Sequence, residues 1–292
     1  MTGRPLILIP VHNRRATSLA CLDRLAANGD LKNFEVRVID DGSTDGTCRE
    51  IARHHPEVAI DSGDGELFWG GAIAAGMRSA LRAGTRPLFW LNDDCLPLSG
   101  TLPALAALLH ADPNTIVVPR CVMAESGSAW PNAFVGRRRV AGRVGETLRV
   151  DGASGYCVGI GSGVLKALGP VDAVHFPHYG ADTAYTLRAT KAGFSVLLVG
   201  SLEAHLVKPG RKFHCIADHI DPHASLSTNA RRIFFSKKSP FRIRTVLGVH
   251  RLKHGAILGS VEAGLKVAKW FAYLSFLRLR AGQPRSTELS GQ

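Results

Sequence analysis

The sequence predicts a three-layer α/β/α fold built on a mostly parallel sheet, followed by a basic, mostly helical C-terminal segment. Three observations carry this reading. Strand-like and helix-like runs alternate from residue 6 to residue 118, the pattern of parallel strands joined by crossover helices. Polar clusters at residues 10–13, 40–41 and 92–94 each directly follow a strand-like run, and ligands of such sheets bind beyond the carboxyl ends of the strands. Past Pro209 the composition turns basic and helical.

Residues 6–9 are a continuous apolar run, as expected of a strand buried on both faces. Leu19, Leu22, Leu25 and Ala26 recur at helical spacing, and Gly29 is the stop signal. Phe34, Val36 and Val38 alternate with polar residues, so 34–39 reads as the second strand. Asp40-Asp41-Gly42-Ser43 has turn chemistry, and Ser43 or Thr44 is the candidate cap of a helix that ends before Pro56. A short third strand at 57–60, a helix at 73–83 closed by Gly84, and a fourth strand at 87–91 follow. Asn92-Asp93-Asp94 comes directly after that strand, then a helix at 102–110 and a strand at 115–118. Gly, Arg and Ser dominate 120–151, which reads as a loop-rich insertion. Order returns over 155–168, with a helix at 183–192, a strand at 194–199 and His205 shortly after it.

The chain has 292 residues, 45% of them hydrophobic, enough for a large core. No apolar run reaches the roughly 18 residues of a membrane-spanning helix, and residues 1–9 lack the pattern of a secretion signal. The six cysteines are scattered, with no C-x-x-C pair. Reduced thiols and a cytoplasmic location are therefore expected. The formal net charge is +12, which suits a phosphate-rich substrate, an anionic membrane or nucleic acid. Arg137, Arg138, Arg139 and Arg143 form one basic cluster. Lys208, Arg211, Lys212, Arg231, Arg232, Lys237, Lys238, Arg242 and Arg244 spread over the C-terminal third. No nucleic-acid-binding motif accompanies this charge, so no nucleic-acid partner is expected.

Adjacent carboxylates raise each other's pKa unless a positive charge sits between them. A divalent cation removes that cost and acts on phosphate oxygens as a Lewis acid. Asp93–Asp94 at a strand end suits such an ion; a helix-capping turn is the plainer alternative. Gly159-x-Gly161-x-Gly163 lacks the spacing of a dinucleotide-binding loop and reads as tight backbone packing near an acceptor site.

Pro10-Val11-His12-Asn13-Arg14, Asp40-Asp41-Gly42-Ser43-Thr44-Asp45-Gly46-Thr47, Asn92-Asp93-Asp94 and Phe176-Pro177-His178-Tyr179-Gly180-Ala181-Asp182 occur in this order, with Arg188 and Gly193 behind. Together they resemble the inverting family 2 glycosyltransferases with the glycosyltransferase A-type fold, over roughly residues 5–207. Phe68-Trp69-Gly70-Gly71 and Pro177-His178-Tyr179 are similar to the bacterial cell-surface polysaccharide, rhamnosyltransferase-like branch. The resemblance implies a catalytic domain at 1–207, with 1–118 as the nucleotide-sugar half and 119–207 as the acceptor half, and a separate segment at 208–292.

The resemblance also implies roles. Pro10, His12, Asp41 and Asp93 match nucleotide-binding positions, and Asp182 matches the catalytic base. Asp94 is the expected contact to Mn²⁺ or Mg²⁺, with His205 matching a histidine that meets the metal in some relatives. Trp69, Gly71, His178 and Arg188 are expected acceptor or donor contacts. Asn92 stands where the family has its first Asp, and Ala181 and Ala184 replace residues that are usually acidic or polar.

The implied reaction moves a sugar from a UDP, dTDP or GDP donor to a hydroxyl of a glycan or lipid-linked acceptor, in cell-envelope polysaccharide synthesis. Residues 257–279 mix Leu, Val, Trp and Phe with Lys and Arg, which suits either an anionic lipid surface on the inner face of the membrane or packing on the catalytic domain. The alternatives are a nucleotidyltransferase acting on sugar phosphates, a non-catalytic basic binding protein, and a catalytically silent relative.

Overall fold

The computed structural model describes residues 3–207, 215–221 and 223–281, with side chains described up to Phe276. Lys208, Arg211 and Lys212 lie outside the described residues. The chain divides into two compact units, Met1–Gly210 and Arg211–Gln292.

The first unit begins as the alternation predicts: β1 (Leu6–Val11), α1 (Arg15–Ala27), the short α2 (Asp30–Asn33), β2 (Glu35–Asp40), α3 (Thr47–His54), β3 (Ala59–Ser62), α4 (Phe68–Ala83) and β4 (Leu88–Leu91). Then come β5 (Cys95–Pro97), α5 (Thr101–Ala111) and β6 (Thr115–Met123). The insertion carries β7 (Ala129–Trp130), β8 (Ala133–Val135), β9 (Arg138–Val140), β10 (Thr147–Arg149) and β11 (Gly152–Ala153). β12 (Cys157–Ile160), α6 (Ser162–Leu168), α7 (Ala181–Lys191) and β13 (Ser195–Leu206) complete the unit.

The sheet runs β10-β13-β6-β12-β4-β1-β2-β3. β3, β2, β1 and β4 are mutually parallel, and β6 is parallel to β13. β12 runs antiparallel between β4 and β6. Leu6 to Ile9 and Leu88 to Leu91 are fully buried, because helices cover both faces of these central strands. Ile7, Ile9, Leu22, Leu25, Leu102, Leu105 and Val117 share the core beneath α1 and α5. Register fixes the functional edge: Val11 lies opposite Asp40, so the chain leaves β1 and β2 side by side.

Five expectations need correction. The 120–151 stretch is not mainly loop: β8, β9 and β11 form a separate three-stranded sheet, and β7 and β10 join the main one. α4 starts at Phe68, five residues before the predicted start at 73. α3 is entered through Gly46 in the left-handed region, with no side-chain cap from Ser43 or Thr44. β13 does not end at Val199 but continues through a register shift to Leu206, which takes His205 into the strand.

The fifth concerns the Gly159–Gly161–Gly163 series. It is tightly packed, since a Cβ on Gly161 would lie 2.2 Å from the Pro113 carbonyl oxygen. Yet β12 opposes β4 with Ile160 against Leu88 and Cys157 against Leu91. These glycines therefore sit at the edge opposite Asn92–Asp94, away from any acceptor site there.

The second unit holds a single-turn helix (Ile216–His219), α8 (Leu226–Phe234), α9 (Ile243–His254) and α10 (Ala256–Ala281). Ser225 caps α8 by accepting the Thr228 N–H at 3.1 Å. Ile216, Ile233, Phe234, Phe241 and Leu274 form its core. Among the described residues, no helix is long and apolar enough to cross a membrane.

Candidate active site

Asp93 and Asp94 leave the carboxyl end of β4 and meet a side chain from the end of β1. The Arg14 guanidinium contacts Asp93 Oδ1 at 3.2 Å and Asp94 Oδ2 at 2.8 Å. Ser18, one turn into α1, donates to Asp93 Oδ2 at 2.8 Å. Both Asp93 oxygens are therefore engaged, and its side chain is only 3% exposed against 17% for Asp94. Burial pushes Asp93 up to about 6, against the opposing pull of Arg14 and Ser18, with the Asp94 charge adding to the rise. The two carboxylates hold the Arg14 pKa above its ordinary value although burial opposes this. Arg14 thus supplies the positive charge that adjacent carboxylates demand.

The chain ends beyond β1 and β2 are sewn together. Asn13, at φ 52°, receives the Thr44 N–H on its side-chain oxygen at 2.7 Å. Its own N–H donates to Ser43 Oγ at 2.8 Å. The His12 ring donates from Nδ1 to the Asp41 carbonyl at 2.6 Å and accepts the Asn13 amide on Nε2 at 3.2 Å. The Asp41 carboxylate accepts backbone N–H groups from Gly65 (2.9 Å), Leu67 (3.1 Å) and Phe68 (2.8 Å). It thereby does the work of an N-terminal cap for α4. Phe68 is held at φ 53°, a region unfavourable for a bulky residue, at the point where this carboxylate grips its N–H. Pro10 is half-buried at the end of β1, opposite Ile39.

α4 carries the next element to the same edge. Gly70 N–H donates to the Pro177 carbonyl at 2.7 Å, docking this helix end on the 176–178 segment. Trp69 N–H points to His178 Nδ1 at 3.5 Å, a weak contact, and the Trp69 indole N–H donates to Asn92 Oδ1 at 2.8 Å. The Asn92 amide thus accepts a hydrogen bond that fixes Trp69. Asn92 N–H donates to the Tyr156 carbonyl at 2.8 Å.

Asp182 stands in the first turn of α7, behind Gly180 in the left-handed region. Its carboxylate accepts Gly155 N–H at 2.6 Å and Thr183 N–H at 2.7 Å. Burial raises its pKa, and those two N–H groups with the charge of Arg139 pull it the other way without cancelling the rise. A Cβ on Gly155 would lie 2.9 Å from both Asp182 Cβ and Trp69 Cζ2, so only glycine lets the two side chains flank it this closely. Asp182, Gly155, Tyr156, Asn92 and the carboxylate pair form one connected edge.

The other predicted residues divide. His178 lies within this edge, 4.6 Å from Tyr179 between ring centroids. His205 is bonded through Nε2 to Glu203 at 2.8 Å, and Glu203 also pairs with Arg120. The neighbouring strand end reaches the Asp94 backbone, where Val207 N–H donates to the Asp94 carbonyl at 2.9 Å. In the geometry described, Asp93, Asp94 and His205 do not form a three-ligand cluster. Gly71 is buried within α4 against Leu67 and offers no surface. Arg188 lies about 9 Å along α7 from Asp182 and donates to the Leu168 carbonyl at 3.2 Å, so it braces α6 instead of the site. Sequence reasoning missed Arg14, Ser18, Gly155 and Arg139. Arg14 had a signal, a cation just past a strand end facing two acids, and Arg139 stood in the basic cluster at 137–143; Ser18 and Gly155 had none.

Of the pair, Asp94 is the side chain left open to a hard divalent cation, beside its Arg14 contact. Asp94 offers a partly exposed carboxylate oxygen at a strand end, and Mg²⁺ or Mn²⁺ sites typically combine one or two carboxylates with substrate phosphates.

No curated protein sequence matches the chain. Among solved structures, GalNAc-T7 with UDP, GalNAc and Mn²⁺ is similar, with TM-score 0.60 at 15% identity, covering 97% of this chain and 58% of that one. The chain thus spans little more than half the length of that protein. Mannosyltransferase PcManGT from Pyrobaculum calidifontis, in complex with GDP-Man and Mn²⁺, aligns with TM-score 0.54 at 18% identity, covering 97% and 77%. These likenesses speak to the fold. The sequence carries the rest: the family model described as Glycosyl transferase family 2 matches residues 6–160, more than half of the chain, and the chain belongs to that family.

Proposed function

We propose that the protein is an inverting transferase that moves a sugar from a nucleoside diphosphate donor to an acceptor hydroxyl, with Asp182 as the base. The observation that carries this is the connected edge: Asp182 and the Asp93–Asp94 pair are linked through Gly155, Tyr156 and Asn92 by hydrogen bonds of 2.6 and 2.8 Å. A raised pKa suits a carboxylate that must accept a proton. Attack by the deprotonated hydroxyl on the face of the anomeric carbon opposite the leaving diphosphate inverts its configuration. Mn²⁺ or Mg²⁺, held by Asp94, would neutralise charge on that diphosphate.

The remaining residues bind and orient. Pro10 and His12 line the nucleotide end. Asp41 shapes that end through the 65–68 loop, and Asp93 keeps Arg14 beside Asp94. Trp69 and His178 border the space in front of Asp182. The bound nucleotides of the two structural neighbours support a UDP- or GDP-type donor. The Phe68-Trp69-Gly70-Gly71 and Pro177-His178-Tyr179 blocks support a cell-surface polysaccharide role with a hexosyl or deoxyhexosyl donor and a glycan or lipid-linked acceptor.

For the second unit, we propose contact with an anionic membrane surface. Ile257 (84% exposed), Leu258, Val261, Leu265 (69%), Phe271 and Phe276 form an exposed stripe on α10, opposite the face that buries Ala263 and Leu274. An apolar stripe on a helix too polar to span, within a basic segment, is the pattern of an interfacial helix.

The test is a screen of nucleotide sugars with Mn²⁺, reading release of nucleoside diphosphate. One donor is expected to turn over, and chelator to abolish turnover with recovery on adding Mn²⁺ or Mg²⁺. Pyrophosphate as the product points to a nucleotidyltransferase, and full activity in chelator removes the metal role.

A further inference from the structure

The second unit carries a cluster that the donor site does not use. His250 and His254 are four residues apart on α9, the separation that places two side chains on one helix face. Glu262 comes from α10, after the reversal at Gly255. Its Oε2 lies 3.4 Å from His250 Nδ1 and 3.3 Å from His254 Nε2. One ligand atom from each residue lies within 4.8 Å of the others. Among the described residues, no other trio of His, Cys, Asp or Glu converges in this way.

We propose that His250, His254 and Glu262 form a binding site for a zinc-class divalent ion that staples α9 to α10. Donors at the usual 2.0–2.2 Å from a tetrahedral ion stand about 3.4 Å apart. The two His–Glu separations already have that value, and the two imidazole donors, within 4.8 Å of each other, come to about 3.4 Å when an ion is seated. Two imidazoles and one carboxylate suit Zn²⁺, Co²⁺ or Ni²⁺ rather than Mg²⁺ or Ca²⁺, which take oxygen. Three protein ligands leave the fourth position to water.

The surroundings suit this occupant. The three side chains are 15–23% exposed, sheltered yet reachable. The helices approach closely at this end. A Cβ on Gly259 would lie 2.3 Å from the His250 carbonyl oxygen, so glycine there is what lets α10 come close enough to offer Glu262.

The experiment uses the full chain stripped of metal and titrated with Co²⁺, reading visible absorption, then with Zn²⁺. One equivalent with the intense bands of tetrahedral cobalt is expected, bleached by Zn²⁺. Asp94→Asn is expected to keep these bands, because an oxygen-liganded donor site gives weak octahedral ones. His254→Gln and Glu262→Gln are each expected to weaken binding at least tenfold and to remove the rise in melting temperature on adding Zn²⁺. Absence of tetrahedral bands, or equal zinc stabilisation of wild type and both variants, overturns the site and leaves a His250–Glu262 hydrogen bond and a His254–Glu262 ion-pair contact in its place.

Discussion

At the scale of the residue, the candidate site is a set of charges whose environments differ. Asp93 is buried and doubly bonded, Asp94 is partly open, and Asp182 is buried against two backbone N–H groups. Burial raises the Asp182 pKa. As a base it must be ionised, so transfer is expected to fall as pH drops through that raised value. The acid limb of kcat/KM should therefore lie above the ordinary carboxylate value of about 4. The linkage to stability runs the opposite way. A carboxyl whose folded pKa exceeds its unfolded one binds its proton more tightly when folded. Its contribution to stability is present below the ordinary value and is lost as pH rises through the raised one. Asp182→Asn should flatten that part of the melting-temperature profile. An acid limb at or below the ordinary value in the wild type contradicts the assignment.

Residue types and order made much of this site legible in the sequence. The carboxylates, the Asp40–Asp41 turn and Asp182 all stand at the shared edge. Partners were harder to read. That Asp41 spends its carboxylate on the backbone of Gly65, Leu67 and Phe68 depends on a loop 24 or more residues away. That Arg188 reaches Leu168 depends on the return path of α6. Neither follows from spacing.

At the scale of the element, local periodicity located the main strands and helices up to residue 118, though not the short α2 and β5 or the first turn of α4, and failed where long-range contacts set the structure. β7 to β11 are two or three residues each, too short for an alternating pattern to register. β13 crosses Gly200 and the charged Glu203, and β6 carries it on. The first turn of α4 contains Gly70 and Gly71, poor helix formers, yet Asp41 accepts the N–H groups of Leu67 and Phe68, and the Pro177 carbonyl accepts that of Gly70.

Gly70 has a further reason to be glycine. A Cβ there would lie 2.2 Å from the Phe176 carbonyl oxygen and 2.8 Å from that of Pro177. Gly70→Ala is expected to cost about 1–3 kcal/mol by overpacking, seen as a lower melting temperature. It should also lower transfer, because the 176–178 segment must move. Gly264→Ala meets nothing within 4 Å in the α10 interior and should instead stabilise by about 0.4–1 kcal/mol. Equal melting of Gly70→Ala and wild type would show that α4 does not dock on that segment.

At the scale of the whole molecule, one chain joins a unit that carries the glycosyl transferase family 2 match to a helical unit with an exposed apolar stripe. The membrane proposal predicts that the full chain co-sediments with anionic vesicles, less so in high salt. Replacing Val261 and Leu265 with Asp should reduce binding at least tenfold while the melting temperature holds, since both side chains are exposed. Unchanged sedimentation of that variant rejects the stripe as the contact.

The central claim is that a base and a nucleotide-sugar site share one sheet edge, and it comes down to Asp182. The direct measurement is donor-nucleotide binding and sugar transfer in Asp182→Asn, side by side with the wild type. The account predicts nucleotide affinity within about twofold and transfer reduced by about 10²–10⁴. Transfer at the wild-type rate, or loss of nucleotide binding together with transfer in a variant that still melts cooperatively, would contradict it.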